Sequence, residues 1–206
     1  MKTPSDANDP RRYSPSTARN REPILAAIRD ILPAQGLVLE IAAGSGEHGP
    51  FIADALPDLT WQPSDLDPDN LPSIAAWAET AAHKNVRPPL ILDVMADPWP
   101  IDRAGAILCI NMIHISPWAC TEALMRGAGS ILAEGAPLIL YGPYRIDGKQ
   151  TAPSNEAFEG WLKGLNPDFG VRDLGEVAHV ATRHGLTLEQ RIEMPANNFV
   201  VVFRRG

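Results

Sequence analysis

The sequence predicts an α/β domain: an open, mostly parallel sheet with helices on both faces and one antiparallel hairpin strand at its C-terminal end. Three observations predict it. Short apolar runs alternate with amphipathic stretches from residue 37 to residue 141, the rhythm of parallel strands joined by helical crossovers. The first of these runs ends in a glycine-bearing turn, Ala43-Gly44-Ser45-Gly46. The last two runs are separated only by a short connection containing Pro195, Asn197 and Asn198, which suits a hairpin.

The elements follow in order. Residues 16–32 carry Ile24, Leu25, Ile28, Ile31 and Leu32 at helical spacing, with Pro33 and Gly36 as the stop. Residues 37–43 (LVLEIAA) form a short apolar run closed by glycine, a buried strand. A helix follows over 47–56, then a strand over 59–64 that hands over to Asp65. Residues 69–83 place Leu71, Ile74, Ala75 and Ala78 on one helical face, and 90–93 form a third strand. The most apolar run, 104–112 (AGAILCINM), reads as a central strand, followed by a helix over 117–132 and a strand over 137–141. A Gly/Pro/Asn-rich excursion over 143–170 then interrupts the rhythm; long excursions at the carboxyl end of a strand are often functional. A helix over 171–184 closes at Gly185, and strands over 186–193 and 199–204 complete the hairpin.

Composition narrows the function classes. The 206 residues suit one domain at roughly 150 residues per domain. Residues 1–12 are polar and proline-bearing, hence flexible, and 13–206 form the domain, with 13–35 as an N-terminal helix or lid and 143–170 as a substrate-side insertion. A hydrophobic content of 45% fills one core. The net charge of −7 argues against a nucleic-acid partner, which favours a basic stripe. No run approaches the ~20 apolar residues of a membrane span, and the N-terminus lacks a signal-peptide pattern, so a cytoplasmic protein is expected. Cys109 and Cys120 have no metal or redox spacing, and Cys109 sits in an apolar run as a buried thiol. No metal site is expected, and the chain is expected to be a monomer or homodimer.

The densest chemical signal runs from Leu39 to Gly49. Glycines after a first strand let the backbone turn tightly and approach a ligand, and the next helix offers unpaired N–H groups. Gly44, Gly46 and Gly49 satisfy a dinucleotide pattern that structural turns also meet. Asp65 ends the second strand, where a carboxylate accepts both hydroxyls of a ribose. Asp93 ends the third, positioned to meet an adenine edge or to cap its own turn. These strand ends converge on one crevice, where open α/β sheets bind ligands. Glu40, buried just before the turn, needs a partner: the glycine loop or an ammonium group.

These residues, together with Tyr13-Ser14-Pro15, Arg19-Asn20, Trp61-Gln62-Pro63-Ser64-Asp65, Asn111-Met112-Ile113-His114, Tyr141-Gly142-Pro143-Tyr144, Ser154-Asn155 and Met194-Pro195-Ala196-Asn197-Asn198, resemble the class I S-adenosylmethionine-dependent methyltransferases. More narrowly, they resemble the family that includes methyltransferase-like protein 26. The resemblance spans Tyr13 to Arg204 and implies a Rossmann-like sheet of seven strands with the last antiparallel. It implies S-adenosylmethionine as cofactor, with Gly44, Ser45 and Gly46 passing its methionine part, Asp65 with Leu66 on the ribose, Asp93 with Val94 on the adenine, and Asn111 near the methyl group. Tyr13 and Arg19 belong to a segment that folds over the cofactor in such an architecture, and Arg19 suits a carboxylate on cofactor or acceptor.

Three side chains are the catalytic candidates. His114 follows the fourth strand by two residues and faces the expected cleft as a general base, or else is hydrogen-bonded beneath the loop to Trp118. Asn111 closes that strand. Tyr144 lines the acceptor pocket or packs. His48, in the first turn of a helix, suits a structural or cofactor-side role, while His83, His179 and His184 read as surface residues. Ser154, Asn155 and Asn198 are polar loop residues able to converge on the cleft, and Arg145 and Lys149 favour a small anionic acceptor. The leading function is methyl transfer to a small molecule by in-line displacement. The alternatives are a nicotinamide-dependent oxidoreductase, against which stands the lack of a Tyr-x-x-x-Lys pair, and a non-catalytic cofactor-binding module.

Overall fold

The computed structural model describes residues 9–206. Its elements in chain order are α1 (Pro15–Ile28), β1 (Gly36–Ile41), α2 (His48–Ala55), β2 (Leu59–Asp65), α3 (Leu71–Ala78), β3 (Leu90–Ile91), β4 (Ala106–Ile110), α4 (Trp118–Ile131), β5 (Pro137–Gly142), β6 (Tyr144–Ile146), β7 (Lys149–Gln150), α5 (Pro153–Leu165), β8 (Arg172–Asp173), α6 (Leu174–Arg183), β9 (Leu186–Met194) and β10 (Asn198–Arg205). Seven strands form the main sheet in the order β3-β2-β1-β4-β5-β10-β9. Strands β1 to β5 pair in parallel, and β10 runs antiparallel to both β5 and β9. The predicted mostly parallel sheet with a C-terminal hairpin is the observed one.

Both faces of the sheet are buried, which is why the strands read as continuous apolar runs. Side chains alternate between two cores. Leu39, Ile41, Ile107, Cys109, Leu138 and Leu140 join α4 and α6 on one face. Val38, Trp61, Leu108, Ile139 and Tyr141 join Ile24 and Ile28 of α1 and Ile52 of α2 on the other. Among the described residues no helix is long and apolar enough to cross a membrane.

Several boundaries differ from the sequence reading. The first helix stops at Ile28 rather than at residue 32; Ile31 and Leu32 continue as a turn, their amides donating to the Ile28 carbonyl, and Leu32 still packs. The 69–83 helix is a 3-10 turn, Pro68–Asn70, followed by the shorter α3. The excursion over 143–170 is not irregular: it holds α5 and, with β8, a small sheet ordered β7-β6-β8. Its glycines and prolines masked a helix of 13 residues. Residues 1–8 of the segment expected to be flexible lie outside the described residues. Residues 9–12 run along α3, where the Arg12 amide donates to Ser73 Oγ and its guanidinium to Asn70 Oδ1.

Candidate active site

Strand order reverses between β1 and β4. From β1 the chain winds outward through β2 to β3, and from β4 it winds the other way through β5. Crossovers leaving in opposite directions open a crevice at the carboxyl ends of the two central strands. Ala42 and Gly44 follow β1 and Asn111 follows β4, while Asp65 ends the neighbouring β2.

The turn after β1 is held from several sides. Gly44 and Gly46 adopt φ of +60° and +89°. A side-chain carbon at Gly46 would stand 2.6 Å from the Ile74 backbone, so only glycine lets α3 pack this close. The Gly44 amide donates to Asp65 Oδ2 at 2.8 Å, while Asp65 Oδ1 accepts from the Asp67 amide at 3.0 Å and from Asn70 Nδ2 at 3.1 Å. A carboxylate offers about four acceptor positions; three are used, and the remaining one is on Oδ2. Asp65 therefore has room for one ribose hydroxyl, not the two expected, unless a neighbour gives way. Beneath the turn, Glu40 Oε2 accepts from Trp61 Nε1 at 2.7 Å. Burial, with the nearby Asp65 charge and against the Trp61 bond, pushes the Glu40 carboxyl up to about 7. At 2% exposure Glu40 is a floor under the loop rather than a surface ligand.

Asp65 ends β2 as expected, whereas β3 stops at Ile91 and leaves Asp93 in the turn beyond it. Leu66 and Met95 are 59% and 48% exposed, two apolar side chains left to solvent beside Asp65 and Asp93. Asp93 Oδ1 caps its own turn through the Met95 amide at 2.8 Å. Val94 is buried, and its carbonyl accepts from Trp99 Nε1. Tyr13 stands exposed with its ring edge on Trp77, 5.1 Å between centroids. Ser14 N–H and Ser45 Oγ both donate to Glu47 Oε2, which ties the start of α1 to the glycine turn.

On the other side of Asn111 lies a cavity of about 370 Å³. Helix α1 lends it Ser16, Arg19, Asn20 and Pro23. Asn111, Tyr141 and Pro143 come from the tips of β4 and β5. Ser154, Asn155 and Phe158 come from α5, and Pro195, Ala196 and Asn198 from the β9–β10 turn. The turn is fastened to α5 by Asn155 Nδ2 on the Asn197 carbonyl and Asn197 Nδ2 on Ser154 Oγ, both at 3.0 Å. Asn111 adopts a left-handed conformation, φ 62°, and its amide donates to the Tyr141 carbonyl at 2.8 Å. Ser154, Asn155 and Asn198 line this cavity together with Arg19 and Asn111.

His114 and Tyr144 do not face this cleft. Both are 0% exposed, stacked edge to face at 5.1 Å beneath the strand tips. The chain after α5 folds back over them: the Gly170 amide donates to the His114 carbonyl, and the Arg172 amide approaches His114 Nδ1 at 3.4 Å. That bond also replaces the expected partner Trp118. Burial, together with the Arg172 charge, lowers the His114 imidazole to about 3, and burial pushes the Tyr144 phenol far above its ordinary range. Buried and outside the cavity lining, the imidazole is not placed to take a proton from a molecule held there. Arg145 and Lys149 are likewise absent from the cavity lining, and Arg145 stands 3.9 Å from Glu159.

Sequence reasoning missed a polar chain at the cavity wall. His48 Nε2 and Asn20 Oδ1 are 3.0 Å apart, and the Asn20 side chain also meets the Tyr141 hydroxyl. Burial, aided by the Arg21 charge, lowers the His48 imidazole to about 4. Tyr141 stands where the sequence places it, at the end of the fifth strand beside the cleft, whereas Phe158 escaped notice because its helix lay inside an apparent loop.

The fold is similar to that of several solved structures. An O-methyltransferase family 2 protein from Planctomyces limnophilus, solved in complex with apigenin, matches with a TM-score of 0.76 and 22% identity over 93% of this chain and 60% of its own. An O-methyltransferase family protein from Burkholderia thailandensis matches at 0.74 and 16% identity, over 93% and 57%. A methyltransferase of calicheamicin biosynthesis, in its SAH-bound form, matches at 0.74 and 13% identity, over 93% and 55%. The chain thus spans little more than half the length of these proteins. Residues 11–205 match the model of the family described as "Protein of unknown function (DUF938)", and the chain belongs to that family.

Proposed function

We propose that this chain is a methyltransferase that uses S-adenosylmethionine and acts on a small-molecule acceptor, with residues 13–206 as its catalytic domain. The observation that carries the reading is the arrangement around Asn111: on one side the glycine turn with Asp65, on the other a cavity of about 370 Å³. One residue borders both a nucleoside-type crevice and a pocket for a second molecule, as a two-substrate transfer requires. The blocks shared with the family of methyltransferase-like protein 26 support it, as does the likeness in fold to O-methyltransferases and to an SAH-bound methyltransferase.

The residues present fit the cofactor. Asp65 keeps one open acceptor position for a ribose hydroxyl, and the exposed Leu66 and Met95 offer apolar surface to an adenine. When bound, S-adenosylmethionine supplies an activated methyl group on a sulfonium. The protein's part is placement: the walls from α1, α5 and the β9–β10 turn hold the acceptor and exclude water, worth far more in rate than a distant base. Asn111, in the left-handed conformation after β4, stands at the boundary between the two ligands. The cavity lining contains no Asp, Glu or His. The acceptor atom must therefore be one that is already nucleophilic, or that loses its proton readily to solvent.

Titration calorimetry with S-adenosylhomocysteine and NADH tests this. Binding of the first and none of the second is expected; the reverse removes the reading in favour of a nicotinamide enzyme. Transfer of labelled methyl from S-adenosylmethionine into a metabolite extract separates an enzyme from a non-catalytic binder.

A further inference from the structure

The cavity beside Asn111 has an unbalanced chemistry. Among its lining residues Arg19 carries the sole formal charge. The polar remainder consists of amides and hydroxyls: Asn20, Asn111, Asn155, Asn198, Ser16 and Ser154. Phe158, Tyr141 and the prolines make the walls. Among the described residues Arg19 enters no ion pair, whereas Arg145, Arg126, Arg183 and Arg204 each stand within 4.0 Å of a carboxylate. A guanidinium at the rim of a pocket with no acid is a receptor for a planar anion.

The Tyr141 hydroxyl adds direction. Tyr141 is 4% exposed, and what remains open faces the cavity. His48 Nε2 holds Asn20 Oδ1 at 3.0 Å, and the Asn20 side chain lies beside the Tyr141 hydroxyl. That hydroxyl carries a proton able to donate into the pocket. Burial raises the Tyr141 phenol above its ordinary value, so that proton stays in place at neutral pH. The two walls thus present a fixed neutral donor and a cation, with no acidic group to compete for either.

We propose that the methyl acceptor is a small carboxylate, its acid group held between the Arg19 guanidinium and the Tyr141 hydroxyl and its apolar body against Phe158 and the prolines. This deepens the methyltransferase reading and rests on it, and it locates anion recognition on α1 and β5 rather than on Arg145 and Lys149. His48 is a positioning residue, since it reaches the cavity only through Asn20, which itself lines it.

The probes are 4-hydroxybenzoate and its neutral amide, 4-hydroxybenzamide, titrated calorimetrically into the full chain saturated with S-adenosylhomocysteine. The acid is expected to bind at least tenfold more tightly than the amide, the scale of one charge-assisted hydrogen bond. Arg19→Gln is expected to erase that preference and Arg19→Lys to restore part of it. Tyr141→Phe is expected to weaken the acid about tenfold, and Asn20→Ala to do so by a smaller factor. Equal binding of acid and amide overturns the proposal, as does binding of neither at millimolar concentration or an unaltered preference in Arg19→Gln. If Arg19→Gln abolishes binding of S-adenosylhomocysteine instead, the guanidinium serves the cofactor and the proposal falls. If the unaltered chain does not bind S-adenosylhomocysteine at all, the failure belongs to the methyltransferase reading itself. Circular dichroism of each variant separates lost recognition from lost folding.

Discussion

Asp65 does two things with one carboxylate. It receives the Gly44 amide, which sets the glycine turn, and it keeps one acceptor position open toward the crevice. Asp65→Ala removes both, and S-adenosylhomocysteine affinity is expected to fall at least tenfold by calorimetry, since hydrogen bonds to a charged group are worth roughly 1.5–3 kcal/mol. Unchanged affinity would mean that the ribose lies elsewhere. His114 gives the opposite expectation from the one its sequence position suggests. Enclosed by Tyr144, Gly142 and the returning chain at Gly170 and Arg172, it packs rather than reacts. His114→Ala is expected to cost roughly 3 kcal/mol of stability, in the range of large-to-small changes at buried rings. A denaturant midpoint equal to that of the unaltered chain would show that the imidazole is not part of the core.

At the scale of elements, the N-terminal segment and the glycine turn are one unit. Glu47 Oε2 accepts from the Ser14 amide and from Ser45 Oγ, Ser73 Oγ donates to the Ser45 carbonyl at 2.7 Å and accepts from the Arg12 amide, and Trp77 Nε1 donates to the Arg12 carbonyl. Ser14 also caps α1, its hydroxyl accepting from the Thr17 amide. Glu47→Ala cuts this web at its centre. Faster amide exchange over residues 12–17 is expected, with a loss of about 2 kcal/mol of stability, and Glu47→Gln, which keeps an acceptor oxygen, loses less. Exchange rates equal to those of the unaltered chain would show that the segment is held by α3 alone. The expected N-terminal helix was legible as a helix from its apolar spacing, and as a cover of the site only through the family resemblance at Tyr13 and Arg19. Its apolar spacing reports the face against the sheet, through Ile24 and Ile28, and is silent about Arg19 and Asn20 on its other side.

At the scale of the molecule, three buried ionisable groups set how stability changes with pH. His48 and His114 are lowered from 6.5 to about 4 and about 3, both chiefly by burial, and Glu40 is raised from 4.5 to about 7 by the same cause. Between pH 4.5 and 6.5 the unfolded chain therefore holds two imidazole protons that the folded chain refuses, while the folded chain holds one carboxyl proton that the unfolded chain has lost. The balance is one proton more on the unfolded side. Stability rises with pH across that window, by up to about 1.4 kcal/mol per unit. A melting temperature that falls from pH 6.5 to pH 5 is expected. Glu40→Gln removes the opposing proton and should steepen the fall. A flat profile in the unaltered chain would show that the imidazoles are not held neutral.

The buried parallel strands, the hairpin and the glycine turn with Asp65 were legible in the sequence because each is written locally. Buried strands must be apolar on both faces, a tight turn against α3 needs glycine at Gly46, and the acid sits at the end of its own strand. The cavity beside Asn111 was legible only as a set of polar loop residues without a partner. Its walls come from α1, α5 and the β9–β10 turn, segments far apart in the chain that meet because β10 inserts beside β5 and brings its turn to the carboxyl edge of the sheet. The burial of His114 was likewise decided by tertiary structure. The chain after α5 returns over it, and a side chain's basicity depends on what covers it, which no local spacing records.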